Sequence, residues 1–364
     1  MQEPTQDDGL GETAKRAAVS ALVVLGIAVL ALAAWKLRIV VALLFLAIVI
    51  SAAMRPGIDA LRRRRVPAGA GIALHYLALV GLFALIVWLV VPRALTQVEN
   101  ALGVSGLPTS AGDLNDAANA STGVKHDILV ALQRRLQHLP SASKLARPGL
   151  QVGVTAFEIL VGIFFVFASA AYWIFERDRA VDLVCSLLPR RQRKRVRDTW
   201  TLIDLRLGAF VRGQFLLIGL VAVVLSLVFW AIGEPYWILV GSFAGLVEIV
   251  PVVGPLAAGA LAVGVGLTDS TRLGIEAGIA VLAMRLIEDY LIVPRVLGDA
   301  VGLTPLVVLV SVTSVGILFG GFAVILAIPI AAVASTLVDV VVRNRDPSDE
   351  EVPTVLFAAT DSET

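Results

Sequence analysis

The segment Glu248-Ile-Val-Pro-Val-Val-Gly-Pro255 interrupts an apolar stretch that runs from about Trp237 to Leu267. A charged group inside hydrocarbon is costly unless it is paired or reached by water. Broken backbone at membrane depth is tolerated only where protein buries it or where it lines a wet cavity. A purely structural membrane helix requires neither feature. The segment therefore predicts a membrane protein that moves something across the bilayer.

The composition places the whole chain in a membrane. Of its 364 residues, 58% are hydrophobic and 16% are charged, whereas soluble domains carry roughly 25% charged residues. Several apolar runs reach the ~20 residues with which a helix crosses a bilayer. Short alternating segments, which are typical of barrel strands, are not the pattern seen. The expected fold is all-α and polytopic, with about eight transmembrane helices, a re-entrant hairpin and an extracytoplasmic helical insertion.

Changes in hydropathy divide the chain into six segments. In order, these are a polar cytoplasmic tail, N-terminal transmembrane helices, an extracytoplasmic segment with an amphipathic helix, a transmembrane helix with a basic cytoplasmic loop, the C-terminal transmembrane core, and a disordered acidic tail. Their bounds are, in the same order, 1–16, 17–91, 92–149, 150–206, 207–342 and 343–364. The amphipathic helix either rests on a surface or covers a pathway as a lid.

Two basic clusters indicate the orientation. One holds Arg55 and residues 62–65, and the other runs from Arg177 to Arg197. Basic residues beside apolar spans stay in the cytoplasm, so both clusters, and with them both termini, are expected there. The clusters are also expected to bind anionic lipid headgroups. No nucleic-acid partner is expected, because the net charge is only +1.

The broken stretch 237–267 allows two topologies. If it crosses the membrane once, Arg295, Arg343 and Arg345 lie outside; if it dips in and returns, all three are cytoplasmic. Each arm of about 14 residues reaches only ~20 Å as a helix, which is short of the ~30 Å hydrocarbon core. A re-entrant hairpin is therefore the favoured prediction, with a single kinked span as the alternative.

A second group of charges lies in the next apolar helix, where Arg285, Glu288 and Asp289 occur within five residues. Counted from the starts of their helices, Glu248 and Arg285 lie at similar depth. We therefore expect Glu248 to be coupled to this group. Two alternatives remain open: the charges lie at a wet interface, or Arg285 neutralises its own neighbours at i+3 and i+4.

The break itself supplies further candidates. Pro251 and Pro255 lack an amide donor, and Gly254 admits a positive φ. Carbonyls freed in this way can coordinate a cation or a polar substrate, whereas a plain proline kink between packed helices is the alternative. The predicted substrate- or ion-binding residues are Glu248, Pro251, Gly254, Pro255, Arg285, Glu288 and Asp289.

Signatures of enzymes and metal centres are missing from the sequence. It contains no G-x-x-x-x-G-K-[ST], H-E-x-x-H or G-x-S-x-G motif. Cys185 is the single cysteine, and the three histidines lack zinc-motif spacing. We therefore expect no catalytic residues, no metal and no cofactor, and transport that is passive or coupled to an ion gradient.

Four motifs follow one another in the C-terminal half. They are Glu248–Pro255, Glu288-Asp289-Tyr290-Leu-Ile-Val-Pro-Arg295, Val301-Gly-Leu-Thr-Pro305 and Leu318–Ile330. In this order they closely resemble the autoinducer-2 exporter family, also called PerM-like permeases. The resemblance covers nearly the whole chain and is weakest over 92–149. Val252-Val253 stands where the family often has Tyr-Ile, and Thr304 where it often has histidine.

The resemblance implies a multi-pass transporter of the bacterial inner membrane that forms a homo-oligomer, with a pentamer as the candidate assembly. Family members have been linked to export of the quorum-sensing signal autoinducer-2, and some to Na⁺(Li⁺)/H⁺ antiport. Three hypotheses follow. The chain is a secondary transporter or exporter of a small polar solute, a monovalent cation/proton antiporter that uses the same carboxylates, or a non-transporting oligomeric scaffold that organises lipid.

Overall fold

A computed structural model describes residues 19–27, 29, 32–33, 35–102, 130, 142–250, 253–296, 303–350 and 352. Within these residues every regular element is a helix. Five helices are long and apolar enough to cross a membrane, and three shorter apolar helices accompany them. The expected all-α, polytopic membrane fold is confirmed.

The helices are numbered in chain order. They are α1 (residues 19–27), α2 (Arg38–Arg63), α3 (Ala68–Leu102), α4 (Ala142–Ser186), α5 (Arg190–Ile232), α6 (Trp237–Val247), α7 (Val253–Asp269), α8 (Thr271–Ile287), α9 (Val293–Val296), α10 (Pro305–Phe319) and α11 (Ala327–Val341). The π-helical residues Glu288–Ile292 join α8 to α9, and the 3₁₀-helical residues Gly321–Leu326 precede α11.

Helices α4 and α5 are much longer than a bilayer is thick. They contain 45 and 43 residues, or roughly 65 Å each at 1.5 Å per residue. The basic segment that we expected as a loop is consequently helical, apart from residues 187–189. Its arginines, lysine and glutamine are good helix formers, and Pro189 stands at the N-cap of α5.

Helix α6 runs antiparallel to α5 and packs closely against it. Gly241 lies against Ser226, and Gly245 lies against Ala222 one turn further along. A Cβ atom at either glycine would collide with α5. Small residues of this kind let two membrane helices approach closely. The four-residue glycine spacing here serves packing within the chain.

Helix α7 returns toward the end where α6 began. It packs antiparallel on α8, with Gly266 against Gly274 and Val263 against Gly278. The end of α7 at Asp269 also lies close enough to Glu234, in the α5–α6 turn, to act on its ionisation. The chain therefore enters and leaves at one end of the bundle, as a re-entrant hairpin does. The segment does not form the single kinked span that was the alternative, because α7 ends near the point where α6 begins.

The opposite end of the bundle, which we call the basic end, gathers the start of α5 and the end of α11. Arg195 donates hydrogen bonds to the Val340 carbonyl and, over 2.9 Å, to Asn344 Oδ1. The residues just after α11 therefore lie beside the basic cluster of α5. This is the side on which the hairpin topology puts Arg343 and Arg345.

The first part of the C-terminal tail packs on the bundle, contrary to the disorder that we expected for 343–364. Arg206 Nη2 lies 2.7 Å from Glu350 Oε2, and Arg206 Nη1 donates to Thr336 Oγ1 over 2.8 Å. Both Arg206 and Thr336 are buried. Segments 1–16 and 353–364 lie outside the described residues, as do residues 103–129 and 131–141 of the extracytoplasmic segment.

Candidate functional site: the hairpin tip

The hairpin tip, residues 248–250, is built by the end of α6 and the start of α7. Amide groups of Ile249 and Val250 donate to the carbonyls three residues earlier, over 3.4 and 3.0 Å, so the last turn tightens as helix ends commonly do. Pro255 lies in the first turn of α7, where a missing amide donor leaves no bond unmade. Pro251 lies outside the described residues.

Gly254 is required for close approach. A Cβ atom at this position would collide with the Val247 carbonyl oxygen. The positive φ that we thought this glycine would use does not occur here; the described glycines with positive φ are Gly233 and Gly320. The tip is therefore a place where two backbone segments touch, and any side chain would push them apart.

Arg285 is the centre of the charged group at the tip. Its Nη1 lies 3.1 Å from Glu248 Oε1 and 3.4 Å from Glu288 Oε2, and its Nη2 lies 2.9 Å from Asp289 Oδ1. The predicted coupling between Glu248 and this charged group is confirmed as a contact with Arg285. Local neutralisation at i+3 and i+4, which we kept as an alternative, occurs at the same time.

Burial divides the four side chains into two pairs. Glu248 and Glu288 expose 9% and 5% of their side chains, whereas Arg285 and Asp289 expose 36% and 44%. The two buried carboxylates are not at a wet interface. Arg285 and Asp289 border the exterior of the bundle. The group thus has a closed side and an open side.

The π-helical segment that follows α8 begins at Glu288, three residues after Arg285. Single π turns inside an α-helix are common at functional sites, because the extra residue per turn shifts the side chains that follow. Glu288 is buried here, whereas the adjacent Asp289 is exposed. Sequence reasoning found both carboxylates but not the change of helix type.

Gln214 of α5 is a contact that lies outside the predicted set. Its Nε2 donates to the Glu248 carbonyl over 3.1 Å, which fixes the depth of the tip along α5. A polar side chain within the apolar run 207–232 was the available signal. Arg212 of α5 donates to the Ala53 carbonyl of α2 over 3.2 Å.

Several carbonyls around the described part of the tip already accept hydrogen bonds, whereas residues 251 and 252 lie outside the described residues, so cation binding by freed carbonyls stays a prediction. The oxygens of Leu246, Val247, Glu248 and Val250 each accept a hydrogen bond. The carboxylates at the tip can also hold a cation, and the guanidinium of Arg285 can hold a polar or anionic solute.

A second ionic network lies at the basic end and includes Arg55 and Arg177. Asp204 Oδ2 accepts from Arg177 Nε over 2.8 Å and lies 3.5 Å from Arg55 Nη1. Asp178 lies 2.9 Å from Arg177 and 3.5 Å from Arg55. Arg55 and Arg177 thereby tie α2, α4 and α5 together, and headgroup binding by the basic clusters stays a prediction.

Comparison with known proteins agrees with this architecture. A family model described as "AI-2E family transporter" matches residues 22–343. Three relatives have names that begin "Putative transport protein". YrrI of Bacillus subtilis (strain 168) is 24% identical over 192 residues, 52% of this chain and 54% of YrrI. YueF of the same organism is 26% identical over 297 residues, 78% of this chain and 79% of YueF.

The third relative, MT0215 of Mycobacterium tuberculosis (strain CDC 1551 / Oshkosh), is 24% identical over 331 residues, which are 86% of this chain and 86% of the relative. The chain thus spans about half the length of YrrI and most of the other two. The family model includes both arms of the hairpin and all four charged residues at its tip. With most of its length matched in this way, the chain belongs to the AI-2E transporter family.

Proposed function

We propose that this protein is a secondary transporter of the bacterial inner membrane that exports a small polar solute, autoinducer-2 being the solute that the family resemblance suggests. One observation carries the proposal. Two buried carboxylates, Glu248 and Glu288, share the single guanidinium of Arg285 at the tip of an interrupted hairpin. Ionisable groups inside a membrane mark ion or substrate pathways.

The depth of the tip supports this role. Gln214, which binds the tip, lies seven residues from Leu207, where the apolar part of α5 begins. Seven residues are ~10 Å of helix, and the far end of α5 is ~27 Å away in the other direction. The charged group thus lies within the apolar part of the bundle, nearer to the basic end.

The charge balance supplies a mechanism. Three carboxylates surround one guanidinium, so a fully ionised group carries two uncompensated negative charges. Buried like charges resist ionising together. A proton or a monovalent cation at Glu248 or Glu288 relieves this repulsion and frees Arg285 to hold a polar or anionic solute. Solute binding and cation binding are thereby linked at one site.

The test is vectorial flux of candidate polar metabolites in proteoliposomes. We expect Glu248→Gln and Asp289→Asn to lower a flux on the order of tenfold or more, with Arg285→Gln lowering it as well. The matched control is Glu276→Gln, which removes a carboxylate of α8 that pairs with Arg272 away from the tip. Flux that is equal in wild type, Glu248→Gln and Asp289→Asn would refute the proposal.

Na⁺(Li⁺)/H⁺ antiport is a second candidate, favoured by the same excess of carboxylates over cations at the tip. A site with spare negative charge lets protons and monovalent cations compete. Adding Na⁺ or Li⁺ to proteoliposomes that hold a pH gradient separates the two functions. Antiport dissipates the gradient without any solute, whereas solute export does not.

The proposed assembly is a homo-oligomer, with a pentamer as the candidate, and the basic end and both termini lie in the cytoplasm. Exposed arginines of the basic end would contact anionic headgroups. Mass measurement in detergent and labelling of single cysteines placed at residues 64 and 344 check these points. If no flux occurs, and assembly and lipid binding survive Glu248→Gln, the protein is a scaffold.

A further inference from the structure

Glu234 is a buried carboxylate far from the hairpin tip. It lies in the turn between α5 and α6, directly after Gly233, whose φ of +84° closes α5 in the left-handed region. Its amide donates to the Phe229 carbonyl over 2.8 Å, and its carbonyl accepts from Trp237 over 3.3 Å. The backbone of this turn is therefore held at both sides of the residue.

The side chain of Glu234 is enclosed without a partner. The residue is 2% exposed, and both carboxylate oxygens are buried without a hydrogen bond to any residue that the structure describes. Phe229 and the partly buried Tyr236 and Trp237 belong to the apolar cluster at this end of the bundle. Buried polar groups usually have a partner, so this one requires an explanation.

The charged neighbours do not neutralise it. Asp269, at the end of α7, acts on Glu234 as a second negative charge, and Tyr236 adds a phenol in the same turn. In the first turns of α8, Arg272 is engaged with Glu276 over 2.7 Å and is strongly exposed. Glu234 forms no ion pair within the described part of the chain.

An ionised carboxylate in such a place is unfavourable. Burial of a charge without a counter-ion is costly, and in practice the group takes up a proton instead. Burial, and to a smaller extent the charge of Asp269, raises the pKa of Glu234 to about 7. The closed arrangement of the turn is therefore compatible with the neutral acid and opposes the anion.

We propose that Glu234 is a proton-binding site at the end of the hairpin opposite the basic end, with Asp269 as the neighbour that favours its protonated form. The proton resides on a carboxylate oxygen when the turn is closed and leaves when water enters the turn. A role of this proton site in driving transport rests on the proposed transport activity, whereas the binding of a proton by Glu234 does not. Under that activity this site exchanges protons with one side of the membrane, while the tip faces the other.

Infrared spectroscopy of the full-length protein in lipid bilayers tests the site. Between about pH 5 and pH 9, we expect wild type to lose a carboxylic-acid C=O band with a midpoint near pH 7, and Glu234→Gln to lack that transition. Glu276→Gln, which removes an ion-paired carboxylate at the same end, should retain it. Identical pH difference spectra of wild type and Glu234→Gln would overturn the proposal.

Asp269→Asn keeps the test decisive if Glu234→Gln does not fold. Asp269 is exposed, so its replacement should be tolerated. Removing a negative neighbour eases ionisation, and the midpoint should move to lower pH; an unmoved midpoint would contradict the arrangement. If wild type shows no flux in proteoliposomes, the proposed function fails. The carboxylic-acid C=O band in the infrared spectrum still decides whether Glu234 binds a proton.

Discussion

At the scale of single residues, Arg285 is the counter-ion of the carboxylates at the hairpin tip. It contacts three carboxylates. Glu248 lies 37 positions earlier in the sequence, whereas Glu288 and Asp289 lie three and four positions later. Removing one partner of a buried ion pair is far more damaging than the pair is stabilising, because it leaves a buried charge uncompensated.

Arg285→Gln is expected to lower the free energy of unfolding by ~3–5 kcal/mol in detergent, because Glu248 and Glu288 lose their counter-ion. Adding Glu248→Gln should restore part of the loss, with a non-additive term of ~1–3 kcal/mol. Thermal unfolding of the two single variants and the double variant measures this term. Arg272→Gln, which breaks a pair whose arginine is 85% exposed, should change stability by at most ~0.5 kcal/mol. Strict additivity would contradict the pairing.

The raised pKa of Glu234 predicts that the stability of the folded protein depends on pH. Its pKa is about 7 in the folded protein against an ordinary value of 4.5. Between these values the folded state keeps a proton that the unfolded state has released, so stability falls as pH rises. The stabilisation that the proton on Glu234 gives the folded state is fully present below about pH 4.5 and is lost as the pH rises through 7. The free energy of unfolding changes by an amount on the order of 3 kcal/mol.

Melting temperatures of wild type and Glu234→Gln across this range measure the effect. Wild type should become less stable than the variant as the pH rises toward 7, because glutamine carries no proton to lose. Parallel curves for the two proteins would show that Glu234 titrates normally when folded.

At the scale of elements, the hairpin depends on close backbone contact. Helices α6 and α7 have 11 and 17 residues, or ~16 and ~25 Å, so neither crosses a bilayer upright. The interruption is stabilised by packing: glycines of α6 lie on α5, and glycines of α7 and α8 lie on each other. The tip closes because position 254 has no side chain.

Gly254→Ala is expected to destabilise the protein by ~1–3 kcal/mol, because the added methyl group meets the Val247 carbonyl and strains the turn. Gly259→Ala in the same helix is the matched control. Its Cβ would lie 3.7 Å from Val281 Cγ1, an ordinary contact, and alanine favours helix over glycine by up to ~1 kcal/mol. The two melting temperatures should move in opposite directions, and equal shifts would contradict the close contact at the tip.

At the scale of the whole molecule, long-range ion pairs join the basic end into one unit. Asp204 links α2 and α4 to α5, and Arg206, two residues later, binds α11 and the tail. The first part of the tail is thereby fixed to the helix whose middle binds the hairpin tip. The hydrogen bond from Arg206 to Thr336 spans 130 positions of sequence, and its ion pair with Glu350 spans 144.

Glu350→Ala is expected to release this part of the tail, because Arg206 is buried and loses its carboxylate. Hydrogen exchange of residues 343–350 should accelerate on the order of tenfold, which corresponds to ~1.4 kcal/mol. Asp349→Ala changes an exposed neighbour and should leave exchange nearly as in wild type. Similar exchange in both variants would show that the Arg206–Glu350 pair does not hold the tail.

Much of this arrangement was predictable from the sequence. Apolar runs located the long helices, arm length favoured the hairpin, and matching depth brought Glu248 to Arg285. The helical continuation of α4 and α5 was missed because polar arginine-rich stretches look like loops when their ion pairs are unknown. Glu234 was missed because a glutamate after Gly233 reads as a solvated turn residue, and nothing local indicates that α7 ends beside it.

The sequence by itself determined that this chain is a bundle of membrane helices with a break at residues 248–255. Backbone groups in hydrocarbon must bond within their own segment, and residues 248–255 cannot do so throughout. Only the tertiary structure decided which charges are buried and which are paired. Burial depends on how neighbouring helices are aligned, so Glu248 gained Arg285, Arg206 gained Glu350, and Glu234 was enclosed with no partner among the described residues.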